Sequence, residues 1–122
     1  MDDLEITKLC AEAMGMRSFQ WFPSGDYPDQ NGTYEISGNE IMRLEGNPLG
    51  GYNRYAYDPI HDDAQAMALA KRFHIDTSSF VNLDGRWVWQ CRYNKDVEWT
   101  DPYPDLNRAI CGCVAQMQKD KQ

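Results

Sequence analysis

Three carboxylates and an imidazole crowd into residues 58–63, as Asp58, His61, Asp62 and Asp63. That donor set suits Mn, Fe or Zn. Yet the group holds one imidazole, and no second ligand cluster accompanies it. Helix capping accounts for the aspartates more simply, because a carboxylate at a helix mouth accepts orphan backbone N–H bonds and meets the positive end of the dipole. No metal and no cofactor are predicted. The other chemistry-bearing residues are rings and guanidiniums. Trp87, Trp89, Tyr93 and Trp99 lie near Arg86 and Arg92, and Tyr52, Arg54, Tyr55 and Tyr57 form a second set. Rings with guanidinium donors hold nucleotides or single strands, and the same residues anchor protein interfaces. Large rings on one strand face form core, which is the expectation for Trp87 and Trp89. Tyr52, Arg54 and Tyr55, among glycines, are expected to be exposed.

Nucleophilic chemistry finds no footing. Ser24-Gly25 and Ser78-Ser79 lack the surroundings of a nucleophile elbow. Gly46-Asn47-Pro48-Leu49-Gly50-Gly51 is followed by no Lys-Ser or Lys-Thr, so it is a turn and not a phosphate loop. Cys10, Cys91, Cys111 and Cys113 form no Cys-x-x-Cys pair. They read as small buried hydrophobes. The chain is therefore predicted not to be an enzyme.

The elements that position these residues follow from periodicity. A first helix is predicted over 3–14, with Ile6, Leu9, Cys10 and Ala13 on one stripe and Gly15 as its stop. Residues 23–32 read as loop. Short strands at 33–36 and 41–44 flank Ser37-Gly38-Asn39-Glu40, a hairpin loop. Residues 52–57 are an extended approach to the second helix. The pattern Asp-Pro-x-x-Asp occurs twice, at 58–62 and 101–105, each time before a helix. The first opens a helix with Ala66, Leu69, Ala70 and Phe73 buried. The second opens the cleanest pattern in the chain: Leu106, Ala109, Ile110, Cys113, Val114 and Met117. Between them, 78–83 and 86–93 form a hairpin around Asp84-Gly85. A two-residue turn there sets Leu83 opposite Arg86, Val81 opposite Val88 and Phe80 opposite Trp89. Asn94-Lys95-Asp96 leads to a third strand, 97–100. The fold class is α+β: a small antiparallel sheet of hairpins and meander packed against about three α-helices, in one domain, 1–122.

Charge narrows the partners. The net charge is -7. Residues 1–63 hold 12 acids and 4 bases (-8), and residues 64–122 hold 7 and 8 (+1). Clustered Lys and Arg are what phosphate binding requires, so direct nucleic-acid binding is not expected. A basic protein surface is the better match. No apolar run reaches the length of a membrane span. The acidic start, Met1-Asp2-Asp3-Leu4-Glu5, is unlike a signal peptide and predicts a cytoplasmic protein.

Residues 4–13, Leu-Glu-Ile-Thr-Lys-Leu-Cys-Ala-Glu-Ala, resemble the opening helix of small bacteriophage proteins of the NinX-like group. Tyr57-Asp58-Pro59, with Asp62-Asp63-Ala64-Gln65-Ala66, is similar to the group's entry into its middle helix. Leu106-Asn107-Arg108-Ala109-Ile110 is similar to its closing helix. The chain departs from the group around residues 23–51. The resemblance implies a phage or prophage origin and a small accessory role in a bacterial host cell, and brings no catalytic residues.

The expected function is thus a phage-encoded accessory protein that binds and inhibits a host protein, a defence component such as a CRISPR effector. Its acidic residues would compete with nucleic acid. Asp26, Asp29, Glu35, Glu40 and Glu45, with Arg54 and Tyr55, are the expected partner-binding residues. An alternative is a small-ligand binder that sequesters a nucleotide signal through Tyr52, Arg54, Tyr55, Arg86, Arg92 and Trp99. A further alternative is a non-inhibitory accessory of phage DNA metabolism.

Overall fold

The computed structural model describes residues 1–19 and 32–121. In chain order they form α1 (Asp3–Ala13), β1 (Arg17–Ser18), β2 (Thr33–Ser37), β3 (Glu40–Gly46), β4 (Tyr52–Tyr57), α2 (Asp63–Arg72), β5 (Asp76–Val81), β6 (Trp87–Arg92) and α3 (Leu106–Asp120). The class is α+β, as the patterns predict. The strands divide between two sheets, however: β1-β2-β3-β4 and the separate pair β5-β6. The larger sheet is also not purely antiparallel, since β1 runs parallel to β2.

Each helix starts on an aspartate. Asp2, Asp62 and Asp105 are the N-caps, and their carboxylates accept from the N–H groups of Glu5, Gln65 and Asn107. In both Asp-Pro-x-x-Asp patterns the second aspartate is the cap. Asp58, the first of its pattern, closes a turn with His61 instead. The Gln65 side chain accepts from Asp58 N–H and donates to the Ala56 carbonyl, so it ties the end of β4 to the mouth of α2. Pro59 and Ile60 between them are buried. α1 ends in a Schellman turn, with Met16 N–H bonded to the Ala11 carbonyl and Gly15 at φ 90°.

α3 is the central element. Ala109, Ile110, Cys113, Val114 and Met117 are buried as its periodicity predicts, and so are Cys111 and Ala115 on the flank. Burial on two sides follows from packing against α1 on one side and α2 and β6 on the others. Cys10 Sγ donates to the Cys111 carbonyl at 3.4 Å where α1 crosses α3. Tyr34, Ile41 and Tyr57 join this core from one face of the four-stranded sheet. All four cysteines are free and buried.

The predicted β2-β3 hairpin forms, but its loop is only Gly38-Asn39 and not the four residues 37–40, because Ser37 pairs with Glu40 as part of the strands. Residues 52–57 are more than an approach to α2: they pair fully with β3 as β4. The β5-β6 hairpin departs from its predicted register by one residue. Val81 faces Trp87, Phe80 faces Val88 and Ser79 faces Trp89. The cause is Asn82. Its Oδ1 accepts from Asp84 N–H and Arg86 N–H, and Asn82 N–H donates to the Arg86 carbonyl. The loop therefore has three residues, Leu83-Asp84-Gly85, with Gly85 at φ 77°. Phe80 consequently shares a face with Val88 and not with Trp89. No third strand forms over 97–100. That stretch instead runs along β6 by single bonds, from Thr100 N–H to the Cys91 carbonyl and between Trp89 and Tyr103. Among the described residues, no helix is long and apolar enough to cross a membrane.

Candidate functional site

Two features stand out on this scaffold: the tip of the β5-β6 hairpin and a cleft at its base. Register decides the first. On one face of the hairpin Thr77, Ser79 and Val81 lie opposite Cys91, Trp89 and Trp87. Cys91 is fully buried, and Trp89 packs against the core. Nearer the tip the Val81–Trp87 pair stands in water at 50% and 64% exposure, and Leu83 is wholly exposed. Phe80, on the opposite face, is 38% exposed. Trp87 is thus not the core residue its alternation predicts, whereas Trp89 is. Arg86 is exposed beside this apolar tip.

The cleft lies between β6, residues 98–103 and α3, with a volume of about 340 Å³. Its floor includes Ile6, Gly112 and Cys113, and its walls include Trp99, Tyr103 and Tyr93. The Arg92 guanidinium lies 4.3 Å from the centre of the Trp99 ring and donates to Asp76 at 3.1 Å. Arg108 pairs with Asp3 and covers the Tyr103 ring at 5.6 Å. Its Nε is buried without an acceptor. Tyr93 donates to Asp120 at 2.9 Å, a bond that raises its hydroxyl pKa above the ordinary range. Burial pushes the Cys91 and Cys113 thiols up to about 12, so they are protonated and inert at neutral pH.

The predicted ligand set is split three ways. Arg92 and Trp99 meet in the cleft. Arg86 stands at the hairpin tip. Tyr52 and Arg54 line a second depression, of about 390 Å³, with Phe19, Glu35 and Leu44 on the sheet face opposite Tyr34 and Ile41. Tyr55, next to Arg54 on β4, points to the opposite face and lies 5.3 Å below Arg43. Tyr52, Arg54 and Tyr55 are exposed, as expected.

The predicted acidic set fares similarly. Asp26 and Asp29 lie outside the described residues. Glu35 pairs with Arg54 and Glu45 with Arg43, both at 2.8 Å, and the two pairs occupy opposite faces of the sheet. Glu40 lines a crevice near Asp3, Asp58 and His61. Nearby, Asn107 donates to Asp63 at 2.7 Å and Arg108 holds Asp3, which draws the three capped helix mouths to one end of the molecule. Carboxylates gather there because each mouth needs one. The sequence missed Arg108, Tyr103 and Gly112 as cleft residues, since only the docking of residues 98–103 on α3 brings them together. A helix-interior glycine was the one signal in the sequence. Among the described residues, no group of three or more His, Cys, Asp or Glu is placed to hold a metal ion.

Comparison with protein-family models, curated proteins and solved structures finds no match for this chain.

Proposed function

We propose that the chain is a phage-encoded accessory protein that acts by binding a host protein, and that the β5-β6 tip is its anchor. The observation that carries this reading is the exposed trio Val81, Leu83 and Trp87 at the tip of the hairpin. Soluble domains seldom keep a contiguous apolar patch without a use for it, and Trp beside Arg is the composition of interface anchors. The partner is a host protein with an apolar recess in a basic surround. Charge complementarity supports that choice. The net charge is -7, and at least four of the twelve cationic side chains (Arg43, Arg54, Arg92 and Arg108) are already tied to carboxylates.

Such a surround is what nucleic-acid-binding defence components present. Occupying it would inhibit them by competition. The phage origin rests on the helix resemblances to the NinX-like group.

The test is capture of a host protein on the immobilised chain after nuclease treatment, repeated with Leu83→Ser/Trp87→Ser. Retention by the wild type that falls at least about tenfold in the variant, the loss of one hot-spot side chain, supports the reading. Equal retention by both, or none by either, overturns it. Charge reversal of Glu40 and Glu45 tests competition separately. Unchanged binding in raised salt and in that variant would leave an anchor without electrostatic steering.

A further inference from the structure

We infer that the cleft between Trp99, Tyr103 and α3 is a binding site for a neutral, planar heteroaromatic molecule of the nucleobase or nucleoside class. Gly112 is the first observation. It sits mid-helix, where glycine lowers stability relative to alanine. Packing does not demand it, since a Cβ built there meets nothing within 4 Å. Its φ is not in the left-handed region either. The glycine keeps open a floor that any side chain would fill.

The second observation is Arg108. Its NH1 is held by Asp3, but Nε is buried and has no acceptor. A buried N–H without a partner is rare in folded chains. Arg108 lines the cleft, but Nε itself is closed off from it, so an acceptor on a bound molecule would complete it only through a turn of the Arg108 side chain. Trp99 and Tyr103 bring rings to the lining, each with a guanidinium over one face, and the volume of about 340 Å³ lies at the lower end of the range for small-molecule sites.

Electrostatics select the class. Arg92, Arg108 and the Met1 ammonium add +3 to the lining, and Glu98 and Asp101 offset two of these charges. Asp76 and Asp3 then sit directly on the two guanidiniums. A phosphate would enter a net negative site and would compete with carboxylates already in place. A neutral base faces no such opposition. This narrows a nucleotide-binding reading to its base.

The experiment is calorimetric titration of the intact protein with adenosine, guanosine, cytidine, uridine and AMP. It is repeated on Gly112→Leu, which plugs the floor, and on Arg108→Lys, which removes Nε. Saturable binding of at least one nucleoside is expected. It should vanish in Gly112→Leu while the melting temperature holds or rises, and weaken in Arg108→Lys. AMP should bind about tenfold more weakly than adenosine, the effect of one like-charge contact at a partly exposed site. The inference is overturned if no nucleoside binds up to millimolar concentration, or if Gly112→Leu binds as wild type does. Equal or tighter binding of AMP overturns the neutral class.

Discussion

Val81 and Trp87 face each other across the β5-β6 hairpin with at least half of each side chain in water. Two residues along the same strand and on the same face, Trp89 packs against the core. The pair of tryptophans therefore separates surface from core by position alone. Trp87→Ser should change stability by less than about 1 kcal/mol, as surface substitutions do. Trp89→Ser should cost about 3 kcal/mol, through lost burial and a cavity. Denaturant midpoints of the two variants check this, and equal losses would place Trp87 in the core after all.

The Tyr34 hydroxyl donates to Glu12 at 2.7 Å and so joins β2 to α1. Tyr34 is otherwise buried. Tyr34→Phe keeps the ring and removes the bond, at a cost of about 1–2 kcal/mol for a charge-assisted partner. Glu12→Gln should cost less, because the amide still accepts. The order of the two losses in urea unfolding is the measurement, and a costlier Glu12→Gln would show that Glu12 stabilises the junction by something other than its bond to Tyr34.

Alkali should unfold the protein earlier than its exposed groups require. Burial raises the Cys91 and Cys113 thiols from an ordinary 9.0 to about 12. Below pH 9 both states hold the protons. Above it the unfolded chain releases them while the folded chain does not. The unfolded state then binds fewer protons, and stability falls by about 1.4 kcal/mol per pH unit for each thiol. Tyr34, raised to about 12 by burial and by Glu12, adds to the slope from pH 10 upward. Denaturant midpoints should fall between pH 9 and 12 and flatten in Cys91→Ala/Cys113→Ala. A midpoint constant through that window would mean the thiols reach solvent in the folded state.

His74 holds φ at 51° just past the end of α2, where Ile75 N–H bonds the Ala70 carbonyl. The turn wants a left-handed residue, and an exposed histidine fills it with strain that glycine lacks. His74→Gly should gain about 1 kcal/mol, read as a higher melting temperature. Gly15→Ala, at φ 90° in the matching turn after α1, should lose a similar amount. A stabilising Gly15→Ala would refute the argument for both turns.

Much of the scaffold was legible because its determinants are local. Helix stripes such as Ala109, Ile110, Cys113 and Val114 recur at a spacing set by the helix itself. Asp62 and Asp105 cap within three residues of their own position. Gly38-Asn39 closes its hairpin through backbone angles that glycine admits. The β5-β6 register escaped this reasoning because a single side chain, Asn82, added a residue to the loop and shifted every pairing by one.

The sequence by itself therefore determined the class, the helix starts and stops, and the burial of the four cysteines. These follow from periodicity, capping and hydrophobicity over a few neighbours. Only the tertiary structure decided that Trp87 projects while Trp89 packs, because that depends on how far along the hairpin the core reaches. It also decided that Glu35 and Glu45 are neutralised on opposite sheet faces, which requires the register of β2, β3 and β4. The cleft is the clearest case. Arg92, Trp99 and the Arg108/Gly112 pair, which share a face of α3 by their i,i+4 spacing, lie in three segments that no short-range rule relates. Their meeting is a property of the packed chain, where burial energy summed over the whole core sets which segments touch.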